Sequence, residues 1–217
     1  MRSLGDFAEP DGLSQLLLRL TVSSTVYCLS HMSSPWGFKV AARSRPAFHL
    51  LTAGNAVLEV EGEPAPIRLT AGDLVIIPRG EAHTVKDSPN SAVQWLDTIL
   101  ERTPPVNGRL DHGGGGQRSE LLCGGFAVDQ LTGRPLLEAL PTVVHLRGSE
   151  GRAPEWLVGL IRMIASEMAS SGPGSEAVVT RLTDALLAQA LRQCLLEVDR
   201  ASGGVPSVSD PSIAKAL

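Results

Sequence analysis

Two histidines and a cysteine are the side chains of this chain best suited to hold a metal ion. His49 lies in Phe48-His49-Leu50-Leu51, His83 follows the turn Pro78-Arg79-Gly80, and Cys123 lies in Leu121-Leu122-Cys123-Gly124. Two imidazoles and a thiolate suit zinc, with a fourth position left for water, His112 or a bound small molecule. The alternative is that both histidines are hydrogen-bonded pocket groups and Cys123 is a small core residue. No C-x-x-C pair accompanies them to mark a structural zinc site. Trp36, Trp95 and His112 are candidates for contact with a small molecule, although core packing is the commoner role of a tryptophan. Arg43, Arg45 and Arg79 could pair with an anionic ligand or remain solvated. No local motif such as G-x-S-x-G supports nucleophilic catalysis.

The elements that must position these residues read as short strands. Leu74-Val75-Ile76-Ile77 is an apolar, β-branched run bounded by Gly72-Asp73 and Pro78-Arg79-Gly80, which predicts a buried strand between two turns. Pro78 ends the ladder because it lacks an N–H. From residue 21 to about 146 similar runs recur, among them TVYCLSHM, FHLLTAG, AVLEVEG, AVQWLDTIL, ELLCGGFAVD and TVVHLRG. Short strands at this spacing predict a sandwich or barrel. His112 and the four glycines after it read as a mobile connector, since no Lys-Ser/Thr follows to complete a phosphate loop.

Helical spacing brackets the strands. Residues 11–20 predict a short amphipathic helix with Asp11 as N-cap. Residues 154–169 carry apolar side chains at 157, 160, 161, 164 and 168, and residues 176–198 carry a wide apolar stripe that includes Leu182, Leu186 and Leu191. Together they predict a helical hairpin, one face covering the strands and another available to a second subunit. Residues 201–209 read as a Gly/Ser/Pro linker, and Asp210-Pro211 as the start of one more helix.

The 217 residues, 43% hydrophobic and 19% charged, can build a substantial core. A net charge of −4 argues against nucleic-acid binding by this chain itself, which requires a basic face. Three scattered cysteines and the absence of an apolar leader or membrane-length run predict a reducing, cytoplasmic setting.

Residues 72–83 fit G-x5-P-x-G-x2-H, which resembles the second motif of the cupin superfamily. Pro35-Trp36-Gly37, Phe48-His49 with Gly54, Cys123-Gly124, Leu140-Pro141 and the terminal Asp210-Pro211-Ser212-Ile213 follow in an order that resembles the AraC-type transcription regulators. The resemblance spans about residues 11–217. It implies a mainly β fold with α: a cupin, or jelly-roll, β-barrel followed by a C-terminal helical hairpin. It implies a segment 1–20, a barrel 21–150, a hairpin 151–200 and, over 201–217, a linker with the truncated start of a DNA-binding domain. The implied function is effector sensing and dimerisation rather than enzymatic activity. The partners would be a small molecule and a second copy, with DNA bound only through the missing domain and no membrane involved. The alternative is a metal-dependent cupin enzyme, a dioxygenase or isomerase. Metal-binding cupins carry a His-x-His pair and a Glu before the glycine that corresponds to Gly54. Here the Glu position falls on Ala47 and Val40 to Arg45 contains no histidine. His49, two residues beyond Ala47, should share its inward face.

Overall fold

The computed structural model describes residues 12–19, 22–131, 133–148, 155–170 and 172–201. The Asp11 cap, Pro154 and the 202–217 segment lie outside them. After α1 (Gly12–Arg19) come β1 (Val22–Ser33), β2 (Gly37–Val40), β3 (Ala47–Ala53), β4 (Asn55–Val60), β5 (Ile67–Thr70), β6 (Leu74–Ile77), β7 (His83–Lys86) and β8 (Gln94–Trp95). Then follow α2 (Leu96–Arg102), β9 (Arg109–Gly113), β10 (Arg118–Val128), α3 (Gly133–Ala139), β11 (Val144–Leu146), α4 (Glu155–Ser170) and α5 (Ser175–Ala201).

The strands form a six-stranded sheet, β11-β6-β3-β10-β1-β9, and a five-stranded sheet, β5-β4-β7-β2-β8. They face each other in an open, jelly-roll-like arrangement. Side-chain alternation sorts the core into two layers. Val75 and Ile77 of β6, Leu51 of β3 and Cys123 of β10 point between the sheets, beside Phe38, Leu58 and Val85 of the second sheet. Leu74, Ile76, Phe48, Leu50 and Leu122 point the other way, against Leu157, Ile164, Leu186, Leu187 and Leu191 of α4 and α5. Both faces of the six-stranded sheet are therefore covered, and this is why Leu74–Ile77 is apolar throughout rather than alternating. The helical stripe is largely consumed by this packing: Leu186 and Leu191 are fully buried, and Met163 and Val178 stay exposed.

Asp73, between Gly72 and the strand, ties the far edge of the sheet. Its carboxylate accepts from the Thr70 amide at 2.9 Å and the Gly148 amide at 2.8 Å, with His145 Nε2 3.2 Å away.

Three segments depart from the sequence expectation. AVQWLDTIL is not one strand: after two paired residues it turns into α2, because Leu96, Ile99 and Leu100 lie on one helical face. α3, with Leu136 and Leu137 buried, falls inside text read as strands. The glycine run is not a loose connector. His112 and Gly113 belong to β9, and the amides of Gly114 and Gly116 donate to the carbonyls of Ser33 and Ser34, each at 2.8 Å.

Candidate functional site

One row of side chains crosses the six-stranded sheet. Cys28 of β1 pairs with Cys123 of β10, Cys123 with His49 of β3, and His49 with Val75 of β6. Direct cross-strand partners share a face, and this face looks into the space between the sheets. His83, paired with Val40 and Val60, comes from the opposite sheet. His49 and His83 meet across the interior, ring centroids 5.0 Å apart and edge-on. The ring of Phe38 lies 5.7 Å from His49 and in turn stacks on Trp36.

The turn before His83 is built by Gly80. Its φ of 70° lies in the left-handed region, and a Cβ there would collide with the backbone carbonyls of Arg43 and Arg45. Glycine thus lets the 43–45 segment pass directly over the turn. The Gly80 and Arg43 backbones join through an N–H···O bond of 2.8 Å.

The polar groups connect in a line. His83 Nδ1 lies 2.8 Å from the Glu81 carbonyl, His49 Nε2 lies 2.9 Å from His83 Nε2, and His49 Nδ1 lies 3.0 Å from Cys123 Sγ. The tautomers follow from the fixed end. A carbonyl only accepts, so His83 carries its proton on Nδ1 and offers a lone pair at Nε2. His49 therefore donates from Nε2 and accepts at Nδ1, and the Cys123 thiol donates to it. Every member is neutral in this arrangement. Burial, and then the nearby His83, hold His49 well below the ordinary histidine range. Burial lowers His83 too, with Arg43 adding to the effect and the Glu81 carbonyl and carboxylate opposing it. Burial pushes the Cys123 thiol well up, with Cys28 adding to it. Desolvation disfavours the charged form of each, which is the protonation state the hydrogen bonds require.

The row forms the floor of a cavity of about 330 Å³. Val26, Phe38, Val40, Leu96, Leu100 and Pro105 supply apolar wall, and Cys28, Ser30, His49, His83 and Cys123 supply polar atoms. Arg43, Arg45 and Asp97 also line it. Arg43 Nη2 holds the Asp97 carboxylate at 2.8 and 3.1 Å, which ties α2 to the segment after β2. The apolar and arginine lining was not legible as a pocket in the sequence. The 3.6-residue spacing of Leu96, Ile99 and Leu100 was a signal for α2 that the strand reading of that stretch passed over.

The structure thus brings His49, His83 and Cys123 together but does not set them around a common point. The two nitrogens of one imidazole diverge, and here they face different partners: Nδ1 meets the thiol and Nε2 meets the second ring. Cys123 and His83 therefore cannot share an ion with His49. Among the described residues no group of three or more His, Cys, Asp or Glu side chains is disposed to hold a metal. Zinc does not fit these donors, and no chemistry is routed through it. Trp36, Trp95 and His112 stand apart from the cavity lining. Trp36 is buried in the core beside Phe38, Trp95 is exposed under the Lys39 ammonium at 4.1 Å, and His112 sits at the end of β9, the outer strand of the first sheet.

A family model described as Cupin matches residues 11–196. The chain belongs to the cupin family. The relatives it matches are regulators. It is 24% identical over 213 residues to the HTH-type transcriptional regulator AlkR of Acinetobacter baylyi, covering 95% of this chain and 68% of the relative. It is 26% identical over 208 residues to an AraC-like transcription regulator of Streptomyces lividans, covering 95% and 67%. It is 28% identical over 185 residues to MtrA of Neisseria gonorrhoeae, covering 85% and 58%. The chain spans about two thirds of the length of the first two. Together with the cupin match, these relatives make it a cupin sensing domain of the AraC type. ToxT of Vibrio cholerae, solved with an unsaturated fatty acid, aligns at a TM-score of 0.44 and 8% identity, covering 88% of this chain and 60% of that one. At that level of likeness nothing about the ligand carries over.

Proposed function

We propose that this domain senses a small, largely apolar effector in the cavity between its sheets, on behalf of a cytoplasmic AraC-type regulator. The observation that carries this reading is the cavity itself. It is walled by aliphatic and aromatic side chains, floored by a neutral hydrogen-bond chain, and lined in addition by two arginines. Its volume falls within the ~300–1,000 Å³ of ordinary ligand pockets. An effector with a hydrogen-bonding or anionic group directed at Arg43 or Arg45 would suit that lining. The ligand-facing residues in this reading are Phe38, Val40, Leu96, Leu100, His49 and His83, in place of the tryptophans. Homodimerisation through α4 and α5 belongs to the same reading. DNA binding would fall to a separate domain, because this chain is acidic. No described helix is long and apolar enough to cross a membrane. The reported relatives carry the names of regulators, which leaves the alternative of a metal-dependent enzyme without support.

The test is binding of the amphiphilic dye 1-anilinonaphthalene-8-sulfonate, followed by fluorescence titration. Saturable one-to-one binding should weaken at least about tenfold, roughly 1.4 kcal/mol, when Ala47→Trp fills the cavity. Equal affinity in a folded Ala47→Trp protein would remove the cavity as the site.

A further inference from the structure

The cavity floor holds a second nucleophile that the hydrogen-bond chain does not use. Cys28 is as buried as Cys123, both are free thiols, and both line the cavity. Their pairing depends on an irregularity. Val26 pairs with Gly124 and Cys28 with Cys123, so β1 contains one extra residue, Tyr27, at a β-bulge. In an unbulged register Tyr27 would face Cys123, and Cys28 would fall opposite Leu122, whose side chain packs on the helices. The bulge re-aims β1 so that two cysteines of distant sequence stand side by side on the cavity floor, and bulges commonly serve to redirect a side chain in this way.

The distances suit a covalent link. Direct antiparallel partners have Cα atoms about 4.5–5.5 Å apart, inside the roughly 4.4–6.8 Å span of a disulfide. Acid–base groups flank both sulfurs. The Ser30 hydroxyl lies 3.2 Å from Cys28 Sγ, and His49 Nδ1 accepts from the Cys123 thiol at 3.0 Å. A packing role alone would not require a bulge, a hydroxyl and an imidazole acceptor around one pair of thiols.

We infer that Cys28 and Cys123 form a dithiol that closes into an intramolecular disulfide by exchange with a small disulfide entering the cavity. In the first step Cys123 loses its proton to hydroxide entering the cavity, and the thiolate attacks one sulfur of R–S–S–R. The S–S bond breaks, a mixed disulfide forms on Cys123, and the released thiolate takes a proton from water. In the second step Cys28 loses its proton through the Ser30 hydroxyl and attacks the Cys123 sulfur. The second R–S⁻ leaves and is protonated. Two protein thiols are oxidised, one small disulfide is reduced to two thiols, and no other reactant is consumed. Burial raises both thiols, so exchange is slow near neutrality and accelerates with pH. Closure would remove the donor to His49 and reshape the cavity floor. The inference concerns the thiols and stands whatever effector fills the cavity.

The experiment exposes the reduced chain to 2-hydroxyethyl disulfide, blocks the remaining thiols with N-ethylmaleimide and maps the peptides by mass. The expected product links Cys28 to Cys123, leaves Cys194 alkylated, and forms about tenfold faster per pH unit between pH 7 and 9, following the thiolate fraction. Cys28→Ser should stop the reaction at a mixed disulfide on Cys123. A wild-type chain that forms no Cys28–Cys123 link at any of these pH values would overturn the proposal. So would one in which Cys194 reacts first, or in which separate mixed disulfides accumulate on Cys28 and Cys123. The wild-type map decides the matter even if Cys28→Ser fails to fold.

Discussion

Removing His83 tests whether the buried chain of hydrogen bonds is an energetic unit or a coincidence of packing. His83→Ala deletes the acceptor of the His49 Nε2–H and the donor to the Glu81 carbonyl, contacts of 2.9 and 2.8 Å. Each neutral hydrogen bond contributes about 1 kcal/mol net, and a buried group left without a partner costs about 1–3 kcal/mol. His83 lines the cavity, where water can replace part of what is lost, so the expected destabilisation lies near the lower end, about 2–3 kcal/mol. His49→Ala should cost a similar amount, since it strands the Cys123 thiol and the His83 Nε2 lone pair and empties a fully buried site. The informative quantity is the double variant. If the two residues act through one bond, the second substitution finds that bond already gone. The double should then fall short of the sum by about 1 kcal/mol or more. Urea unfolding of all four proteins, with matched m-values, measures this. For a domain of this size each 1 kcal/mol also moves Tm by about 2–4 °C. Additivity within about 0.3–0.5 kcal/mol would refute the reasoning, because it would mean that the two rings contribute as independent packing groups.

The pH dependence of stability has a definite sign. Burial lowers His49 and His83 in the folded state below the ordinary 6.5, so the unfolded chain binds more protons as pH falls through that value. Stability should be flat between about pH 7 and 8 and decline below 6.5 with a slope approaching about 1.4 kcal/mol per unit for each group; urea midpoints from pH 7.5 to 5 read it, and His49→Ala should flatten the decline. Dimerisation through the helices predicts that Val178→Glu, at an exposed position on α5, lowers the sedimentation coefficient toward that of a monomer; an unchanged value would exclude this face.

Much of the fold was legible because its cause is local. The run from Leu74 to Ile77 announces a strand covered on both faces whatever covers it. Gly80 announces a turn that L side chains resist. The two-residue period sets His49 on the inward face once Ala47 is placed there, and the helices at residues 155–170 and 175–201 follow from 3.6-residue spacing alone. α2 was misread because Gln94 and Trp95 do pair as a strand, and with no Gly or Pro in this nine-residue stretch only the spacing of Leu96, Ile99 and Leu100 marks the change of period.

Three polar residues of the candidate site were legible too, but its lining and its geometry were not. The sequence by itself singled out His49, His83 and Cys123 as the side chains best suited to hold a metal ion, and phased only His49, through Ala47, toward the interior. Only the tertiary structure decided that they form a line instead of a ring. A line or a ring depends on which imidazole nitrogen faces which neighbour, and that is set by ring rotation between two sheets, beyond the reach of any spacing rule. The same holds for Cys28. A bulge of one residue changes which face a side chain takes, and it arises where long-range strand pairing forces the register to slip. The cavity belongs to the tertiary level for the same reason: Arg43, Asp97 and Leu100 meet there only because α2 folds back beside the segment that Gly80 allows to pass.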